Sequence, residues 1–299
     1  MNEIAGSVCL ITGATSGIGL AAARQIARHG ATVVLAGRDA AKCTAAAASV
    51  RAASPIDAGA VGWLAADLAV QDEVRALAHE FRERYGRLDI LVNNAGTIVA
   101  KRTLTPEGVE WTLAVNHLAP FLLTNLLLDL LIASAPARVI TVTSVAHERA
   151  QLDFGDLPME RGYLPFRAYA RSKLANLLFS YELARRLDGT GVTANAVNPG
   201  LVRTDLGRGN GLVRDVAWRL IHLRHRSVSL TADQGADTVS FLASSPSVEG
   251  LTGKYFFERR PVDSSPGSRD VAAAARLWSL SEQWCGVTTT QGLRPDASR

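Results

Sequence analysis

Residues 12–19 read Thr12-Gly13-Ala14-Thr15-Ser16-Gly17-Ile18-Gly19 and lie between an apolar run at 8–12 and an apolar helical segment at 17–29. Glycines let the backbone turn tightly and approach a ligand, and a helix N-terminus offers free N–H groups with partial positive charge. Such a turn is also typical of ordinary loops. Its position between a strand and a helix predicts a pyrophosphate site built from Gly13, Thr15, Ser16, Gly17, Ile18 and Gly19.

The strand–helix alternation continues along the chain. Because parallel strands need crossovers of a dozen or more residues, the alternation predicts an α/β fold: a doubly wound, Rossmann-type domain with a mostly parallel seven-stranded sheet flanked by helices. One domain is predicted over residues 1–287, with a substrate lid at about 201–228 and a flexible tail at 288–299. Strands are located at 8–12, 32–36, 61–65, 88–92, 138–143 and 192–197, and helices at 17–29, 39–53, 71–85, 107–132 and 168–187.

Composition excludes several classes of protein. With 47% hydrophobic and 20% charged residues among 299, the chain has ample material for a buried core. The net charge is +4, but the basic residues are spread along the chain, so no nucleic-acid partner is expected.

The spacing of the cysteines and the hydropathy of the chain indicate in which cellular compartment the protein is expected. Cys9, Cys43 and Cys285 lie far apart without metal-ligand spacing, so neither a metal site nor a disulfide framework is expected. The apolar stretch at 121–133 is interrupted by polar residues and is too short to cross a bilayer. With no export leader in the sequence, a cytoplasmic location and no transmembrane segment are expected.

The end of the second strand indicates which dinucleotide is bound. An acidic residue there receives the ribose hydroxyls of NAD, whereas an arginine accommodates the 2′-phosphate of NADP. The chain reads Ala36-Gly37-Arg38, which favours NADP(H) over NAD(H) because a guanidinium can hold phosphate bidentately. In the alternative interpretation, Arg38 is a solvated residue at a helix start and Asp39 is the N-cap.

Candidate acid/base residues follow the fifth strand. Tyr169 and Lys173 are four apart in a helical segment, so both side chains lie on one face. A nearby ammonium and an oxidised nicotinamide both favour the phenolate, which predicts that Tyr169 acts as acid and base. Ser144 ends the fifth strand, where its hydroxyl can hydrogen-bond a reacting oxygen. Taken singly, these residues also fit a surface pair and a turn residue.

The full set of motifs resembles the short-chain dehydrogenase/reductase family over roughly residues 5–260. It comprises the glycine pattern, Asp67 after the third strand, Asn93-Asn94-Ala95-Gly96 after the fourth, Asn116, Ser144 and Tyr169-Ala170-Arg171-Ser172-Lys173. Within the family the chain resembles the retinol dehydrogenase-like branch, through residues 116–121, 172–176, 198–204 and 277–282. The 25-residue interval from Ser144 to Tyr169 is long for the family and is interpreted as a feature of this branch near the substrate.

The resemblance implies roles for particular residues. Asn116, Ser144, Tyr169 and Lys173 are expected to be catalytic, with Lys173 also binding the nicotinamide ribose and Asn116 supporting a water relay. Thr204 is expected to contact the nicotinamide carboxamide. The remaining expected cofactor contacts are Asp67, Leu68, Asn94, Ala95, Gly96, Pro199, Gly200 and Val202.

The expected activity is hydride transfer between NADP(H) and a carbonyl or alcohol carbon of a lipophilic or polycyclic small molecule. A ketoreductase of secondary metabolism, such as aromatic polyketide tailoring, is the first interpretation, and a retinal-like aldehyde reductase or alcohol dehydrogenase is the alternative. A non-catalytic NADP-binding regulator is the alternative of another class, although such proteins tend to lose Tyr169 or Lys173.

Two structural questions stay open in the sequence. The apolar stripe within 201–228 fits a cover for an apolar substrate, ordinary packing of a surface helix, or contact with a membrane surface. A homodimer is possible because family members often associate through the helix carrying Tyr169, but the C-terminal extension could cover that surface.

Overall fold

The computed structural model describes residues 4–54, 61–202 and 229–288. Its strands are β1 (Val8–Thr12), β2 (Thr32–Gly37), β3 (Val61–Ala65), β4 (Ile90–Asn93), β5 (Ala137–Val142), β6 (Val192–Val197), β7 (Tyr255–Phe257) and β8 (Arg260–Val262). They form one sheet in the order β3-β2-β1-β4-β5-β6-β7-β8. Neighbouring strands are parallel except β7 and β8, which are antiparallel. The predicted α/β fold with a mostly parallel sheet is confirmed.

Helices cover both faces of this sheet. They are α1 (Gly17–Arg28), α2 (Ala40–Ala53), α3 (Gln71–Tyr85), α4 (Trp111–Leu113), α5 (Ala119–Leu126), α6 (Leu128–Ala133), α7 (Pro165–Arg186), α8 (Ala232–Ser244) and α9 (Val271–Cys285). Along β1, Leu10 packs into the layer of α3, α5, α7 and α9, whereas Cys9 and Ile11 pack into the layer of α1, α2 and α8. Burial on both faces explains why the central strands read as unbroken apolar runs.

The strand count differs from the prediction, with eight strands in the described sheet rather than seven. The additional strand, β8, is three residues long, exposed throughout and contains Pro261. Proline cannot donate to a ladder, so it argues against a strand in sequence and is tolerated here at the sheet edge. The β7–β8 turn uses Glu258 and Arg259, both at positive φ, instead of the glycine or asparagine that marks such turns.

The prediction of a single helix at 107–132 was wrong. The first helix of this region begins at Trp111, because the Glu110 carboxylate accepts hydrogen bonds from the backbone N–H groups of Thr112 and Leu113, each at 2.8 Å. A π-helical turn at Ala114–Leu118 follows, and Leu127 separates α5 from α6. Pro120 lacks the N–H that a regular helix would donate to the carbonyl of Asn116. The π-helical turn therefore contains Asn116, a predicted site residue, and π-bulges often occur at functional sites.

Other bounds agree to within a few residues. β4 begins at Ile90 rather than 88, and α7 begins at Pro165 rather than 168, since proline suits the first helical turn. The single-domain prediction stays a prediction. Of the predicted lid and tail, residues 203–228 and 289–299 lie outside the described residues. Within the described ranges, no helix combines the length and apolarity needed to cross a membrane.

The C-terminal helix α9 packs on α7. Trp278 is buried, stacks on Phe179 with ring centroids 5.8 Å apart and meets Phe121 edge-on at 4.9 Å. The Arg186 guanidinium lies 4.3 Å from the Trp278 ring centroid, and Ser281 Oγ lies 2.9 Å from His117 Nε2. This face of α7 is thus covered by the chain's own helix. The homodimer stays a prediction.

Candidate active site

A cleft of about 370 Å³ opens at the carboxyl ends of β1 and β4. Ligands bind at such a point in doubly wound sheets because the strand order reverses there and the connections diverge. The cleft runs from the glycine-rich turn to the middle of α7. Predicted residues that line it are Gly13, Thr15, Ser16, Gly17, Ile18, Gly19, Arg38, Asp67, Leu68, Asn94, Ala95, Gly96, Tyr169, Lys173 and Pro199.

The glycine-rich turn is shaped by close backbone approach. Gly13 has φ +65°, and a Cβ there would lie 2.8 Å from Ala95 Cα. A Cβ on Gly19 would collide with the Gly13 carbonyl and lie 2.5 Å from Asn94 Nδ2. That amide donates to Thr12 O at 2.8 Å and Gly13 O at 3.2 Å, which ties the turn to the end of β4. Asn94 therefore shapes the turn in addition to lining the cleft.

The N-terminus of α1 has the character of an anion site. Ser16 is its N-cap, in extended conformation and with no side-chain cap hydrogen bond, and no acidic residue lies in the first turn of the helix. The first N–H groups of a helix have no intrahelical acceptor, and the helix dipole places positive charge there. Together with the close-packed glycines, these groups fit the pyrophosphate of a dinucleotide.

Arg38 and Asp39 have separate roles in the structure. Asp39 is the N-cap of α2 and accepts a hydrogen bond from Lys42 N at 3.0 Å, as the alternative interpretation supposed. Arg38 is exposed at the cleft and forms no hydrogen bond or ion pair with other described residues. Gly37 also lines the cleft, and a Cβ there would lie 2.5 Å from Thr15 Cγ2. The Arg38 guanidinium is therefore available to a cleft ligand.

The predicted catalytic residues converge at the other end. Tyr169 and Lys173 are buried on α7, with Lys173 Nζ 5.6 Å from the Tyr169 ring centroid. Nζ donates to Val142 O at 2.9 Å, and the side chain of Ser144 lies near the Tyr169 hydroxyl, where it lowers the pKa of the phenol. Three of the four predicted catalytic residues, from separate parts of the sequence, are thus brought close together. The fourth, Asn116, lies behind them.

Asn116 is fully buried in the π-helical turn. Its Nδ2 donates to Ser172 Oγ at 2.9 Å and to Thr97 O at 3.0 Å, and its Oδ1 accepts from Thr97 N at 2.7 Å. These bonds connect the loop after β4 to α7, next to Lys173. A Cβ built on Gly96 would lie 3.5 Å from Lys173 Nζ and 3.7 Å from Asn116 Oδ1, which are ordinary van der Waals distances. Gly96, Asn116 and Lys173 are therefore close neighbours.

Comparison with known proteins decides the family, because residues 7–212 match the short chain dehydrogenase family. The chain belongs to the short-chain dehydrogenases. Retinol dehydrogenase 14 of Mus musculus is 42% identical over 290 residues, which cover 94% of this chain and 86% of that protein. Retinol dehydrogenase 12 of Homo sapiens is 42% identical over 285 residues, covering 95% and 88%. A solved structure of a protein from Mycobacterium paratuberculosis is 35% identical, with a TM-score of 0.75 and 96% of each chain covered.

These matches confirm the predicted retinol dehydrogenase-like branch. This short-chain dehydrogenase is accordingly an oxidoreductase that uses a nicotinamide cofactor and acts on CH–OH or C=O groups of a small molecule. The regulator without catalysis has no support in these findings. In the described parts of the chain, no cluster of three or more His, Cys, Asp or Glu side chains could hold a metal ion.

Protonation at the chemical end of this short-chain dehydrogenase is set by burial. Burial raises the pKa of Tyr169 to about 12, and the neighbouring Ser144 side chain lowers it. Burial also lowers the pKa of Lys173 to about 8, and its Nζ bonds to Val142 O rather than to the phenol. The predicted stabilisation of the phenolate by an ammonium and an oxidised nicotinamide stays a prediction. Without the nicotinamide, the Tyr169 hydroxyl is protonated at neutral pH and able to donate a proton.

Several predicted cofactor residues lie outside the lining of the cleft. Gly200 has φ +81° and donates its N–H to Asn198 Oδ1 at 3.1 Å. Val202 forms a parallel bridge with Leu230 and packs towards Gly235. Thr204 lies outside the described residues. The carboxylate of Asp67 accepts from Ala69 N at 3.0 Å and so stabilises its own turn while the residue lines the cleft.

Sequence reasoning missed some residues of the cleft. Trp111 and Thr97 line it, and so do Ala66, Val115, Val142 and Thr143. The Glu110 carboxylate caps the helix that begins at Trp111 and also accepts from Tyr163 OH at 3.3 Å. The sequence offered no signal for Trp111, which lay inside the helix predicted at 107–132, and nothing in the spacing pointed to Tyr163.

Proposed function

We propose that this protein is an NADP(H)-preferring oxidoreductase that interconverts a retinol-like lipophilic alcohol and its carbonyl compound. The observation that carries the proposal is that Tyr169 and Lys173 line the end of a cleft that begins at the glycine-rich turn, with Ser144 near the Tyr169 hydroxyl. Each of these groups is buried or hydrogen-bonded in a way that suits one chemical task.

The nicotinamide, when bound, supplies or accepts the hydride. The protein's own residues handle the proton. In reduction, the protonated hydroxyl of Tyr169 donates to the substrate oxygen, and Ser144 hydrogen-bonds the same oxygen. In oxidation, Tyr169 accepts the hydroxyl proton, which requires the deprotonated phenol. Lys173 contributes positive charge beside Tyr169 and orients the nicotinamide ribose, while Asn116 supports the return of protons to solvent.

Preference for NADP(H) rests on Arg38. It is the charged side chain at the end of β2, it lines the cleft, and its guanidinium is not engaged by other described residues. The neighbouring carboxylate of Asp39 is occupied as the cap of α2, so it is less available to ribose hydroxyls. Charge-assisted bonds between guanidinium and phosphate would then favour the 2′-phosphate of NADP.

A lipophilic substrate is supported by apolar surface near Tyr169. Val145 follows Ser144 and is 53% exposed, and Phe166 is 50% exposed with its ring centroid 6.4 Å from that of Tyr169. Leu164, at the start of α7, is 53% exposed. Large exposed apolar side chains beside a catalytic group mark a binding surface for apolar ligands. Relatives named retinol dehydrogenases favour a retinoid-like substrate over an aromatic polyketide ketone.

The test is steady-state turnover of all-trans-retinal with NADPH or NADH, beside a quinone-bearing polycyclic ketone. We expect reduction of retinal with kcat/KM for NADPH at least about tenfold above that for NADH, the effect of roughly 1.4 kcal/mol of phosphate binding. Equal use of both nucleotides would refute the cofactor preference. Turnover of the polycyclic ketone but not of retinal would refute the substrate class and restore the polyketide interpretation.

A further inference from the structure

His147 is buried next to Ser144 and has no place in the mechanism above. It lies in the 3₁₀ turn Val145–Arg149, for which Ser144 is the N-cap. Its Nδ1 is 2.7 Å from the carbonyl oxygen of Ser144, and its Nε2 is 3.3 Å from the backbone nitrogen of Ser265, which follows β8. One imidazole therefore spans the gap between the Ser144 turn and a segment 118 residues away along the chain.

The two partners fix the state of the ring. A carbonyl only accepts, so Nδ1 must carry the hydrogen, and a backbone N–H only donates, so Nε2 must be unprotonated. The neutral Nδ1–H tautomer is the form that satisfies both bonds. Burial lowers the pKa of His147, against the opposing effects of the Ser144 carbonyl and the charge of Glu148, which agrees with a neutral ring.

The far side of this bridge is well anchored. The Ser264 hydroxyl lies 2.7 Å from Tyr181 OH on α7 and accepts from Ser268 Oγ at 2.7 Å. Tyr255 on β7 packs edge-on against the His147 ring with centroids 5.3 Å apart. His147 is thus held from outside its own turn by two segments, β7 through Tyr255 and the segment after β8 through Ser265.

The Ser144 turn also has hydrogen bonds of its own, since the carbonyl of Ser144 accepts the backbone N–H of His147 at 3.1 Å. The hydroxyl of Ser144 accepts from Ala146 N at 3.2 Å and lies near Tyr169, whose pKa it lowers. A short 3₁₀ turn has weaker hydrogen-bond geometry than an α-helix and holds its cap residue less firmly. The imidazole of His147 therefore adds a second hydrogen bond to the Ser144 carbonyl and further restrains the residue that carries the hydroxyl.

We propose that His147 is a positioning residue for the reaction, which holds the Ser144 hydroxyl near Tyr169 through the hydrogen bond from its Nδ1–H to the Ser144 carbonyl, while Ser265 and Tyr255 steady the ring. The proposal rests on the proposed role of Ser144. A displacement of about 1 Å in a catalytic group can lower the rate by about 10²-fold, so the bridge matters to kcat even though His147 touches no substrate.

The test compares His147→Leu, which removes both hydrogen bonds, with His147→Asn, whose amide Nδ2 occupies the place of Nδ1 and keeps the donor to Ser144. We expect His147→Leu to lower kcat for retinal reduction by about 30- to 100-fold, with KM for NADPH within about twofold, and His147→Asn to recover to within about fivefold of wild type. His117→Gln, a change at an equally buried histidine that does not contact Ser144, is the control and should leave kcat within about threefold.

A double-variant cycle separates positioning from general loss of structure. In a Ser144→Ala background, His147→Leu should cause no further loss of kcat, because the group it positions is gone. If the fold-losses of kcat from Ser144→Ala and His147→Leu multiply in the double variant, the proposal is overturned. Equal kcat for His147→Leu and His147→Asn would also overturn it. If His147→Leu does not fold, the same cycle is run with His147→Asn, which should be about as active as its Ser144→Ala parent.

A crystal structure of His147→Leu or His147→Asn gives a readout that does not depend on activity. We expect the Ser144 hydroxyl to be displaced from Tyr169 in the Leu variant and retained in the Asn variant, and an unmoved hydroxyl in the Leu variant would overturn the proposal. Full activity of Ser144→Ala would instead refute the proposed function of Ser144, and absence of retinal turnover by the wild type would refute the proposed substrate.

Discussion

The two ends of the cleft are built in different ways. At the glycine-rich end, the backbone is the working surface: Gly13 and Gly19 admit no Cβ, and the first turn of α1 presents N–H groups. At the α7 end, the working groups are the side chains of Tyr169 and Lys173, whose pKa values burial moves away from their ordinary range. We therefore expect cofactor binding to depend on the backbone shape of the glycine-rich turn, and hydride transfer to depend on the protonation states of Tyr169 and Lys173.

The largest expected effect on cofactor affinity follows from the shape of the glycine-rich turn. Gly19→Ala places a methyl group against the Gly13 carbonyl and the Asn94 amide, so the turn must shift. We expect NADPH affinity to fall by about 100-fold, which is roughly 2.7 kcal/mol, and the free energy of unfolding to fall by about 2 kcal/mol. Fluorescence titration and urea denaturation measure the two. Gly267→Ala, where nothing lies within 4 Å of the added Cβ, is the matched control and should leave NADPH affinity unchanged.

Charge at the edge of the glycine-rich end gives the next effect. Arg38→Asp removes a phosphate partner and adds repulsion, so the ratio of NADPH to NADH affinity should fall by about 30-fold, roughly 2 kcal/mol. NADH affinity serves as the internal control and should change little. Parallel titrations with both nucleotides check this, and an unchanged ratio would locate the 2′-phosphate contact elsewhere.

Protonation at the α7 end predicts a difference between the two directions of the reaction. Because the pKa of Tyr169 is raised to about 12, the phenol is protonated at neutral pH and reduction needs no prior deprotonation. We expect kcat/KM for alcohol oxidation to rise by up to about tenfold from pH 7 to 8. That for carbonyl reduction should stay nearly constant up to about pH 7 and then decline, because the ammonium of Lys173, with a pKa of about 8, loses its proton. If kcat/KM changes with pH in the same way for oxidation and reduction, Tyr169 is not the group whose protonation state separates the two directions.

The smallest expected effect concerns the stability of the fold and arises from His117, the neighbour of Asn116 in the chain. Burial lowers the pKa of His117 to about 4, below its ordinary value of 6.5, so the folded protein favours the neutral ring. This contribution to stability is full above pH 6.5 and is lost as the pH falls from 6.5 towards 4. Between pH 8 and 5.5 the wild type should lose about 1 kcal/mol more unfolding free energy than His117→Gln. An equal dependence of the unfolding free energy on pH in the two proteins, measured by denaturant unfolding, would show that folding does not lower the pKa of His117.

Much of this molecule follows from its sequence. Strands β1 and β3 and helix α3 have the predicted bounds. The glycine-rich turn was found because its glycines stand between a strand and a helix, where the backbone must turn tightly. Tyr169 and Lys173 were found because helical spacing puts them on one face and because they belong to a larger set of family motifs.

What the sequence could not show depends on contacts between distant segments. The π-helical turn at Ala114–Leu118 results from Pro120 and from the capping by Glu110, which interrupt an otherwise helical apolar pattern. The bridge from Ser144 through His147 to Ser265 joins residues far apart in the chain, and no local pattern announces it. The high pKa of Tyr169 likewise reflects burial, which depends on the complete fold rather than on the spacing to Lys173.

The central claim is that binding and chemistry belong to separate ends of the cleft, and Tyr169→Phe tests it most directly. The variant removes one buried hydroxyl and leaves the glycine-rich end untouched. Single-turnover reduction of all-trans-retinal at saturating NADPH should slow by about 10²- to 10⁴-fold, while the Kd for NADPH stays within about twofold of wild type. Retained hydride transfer, or a comparable loss of NADPH affinity, would contradict the account.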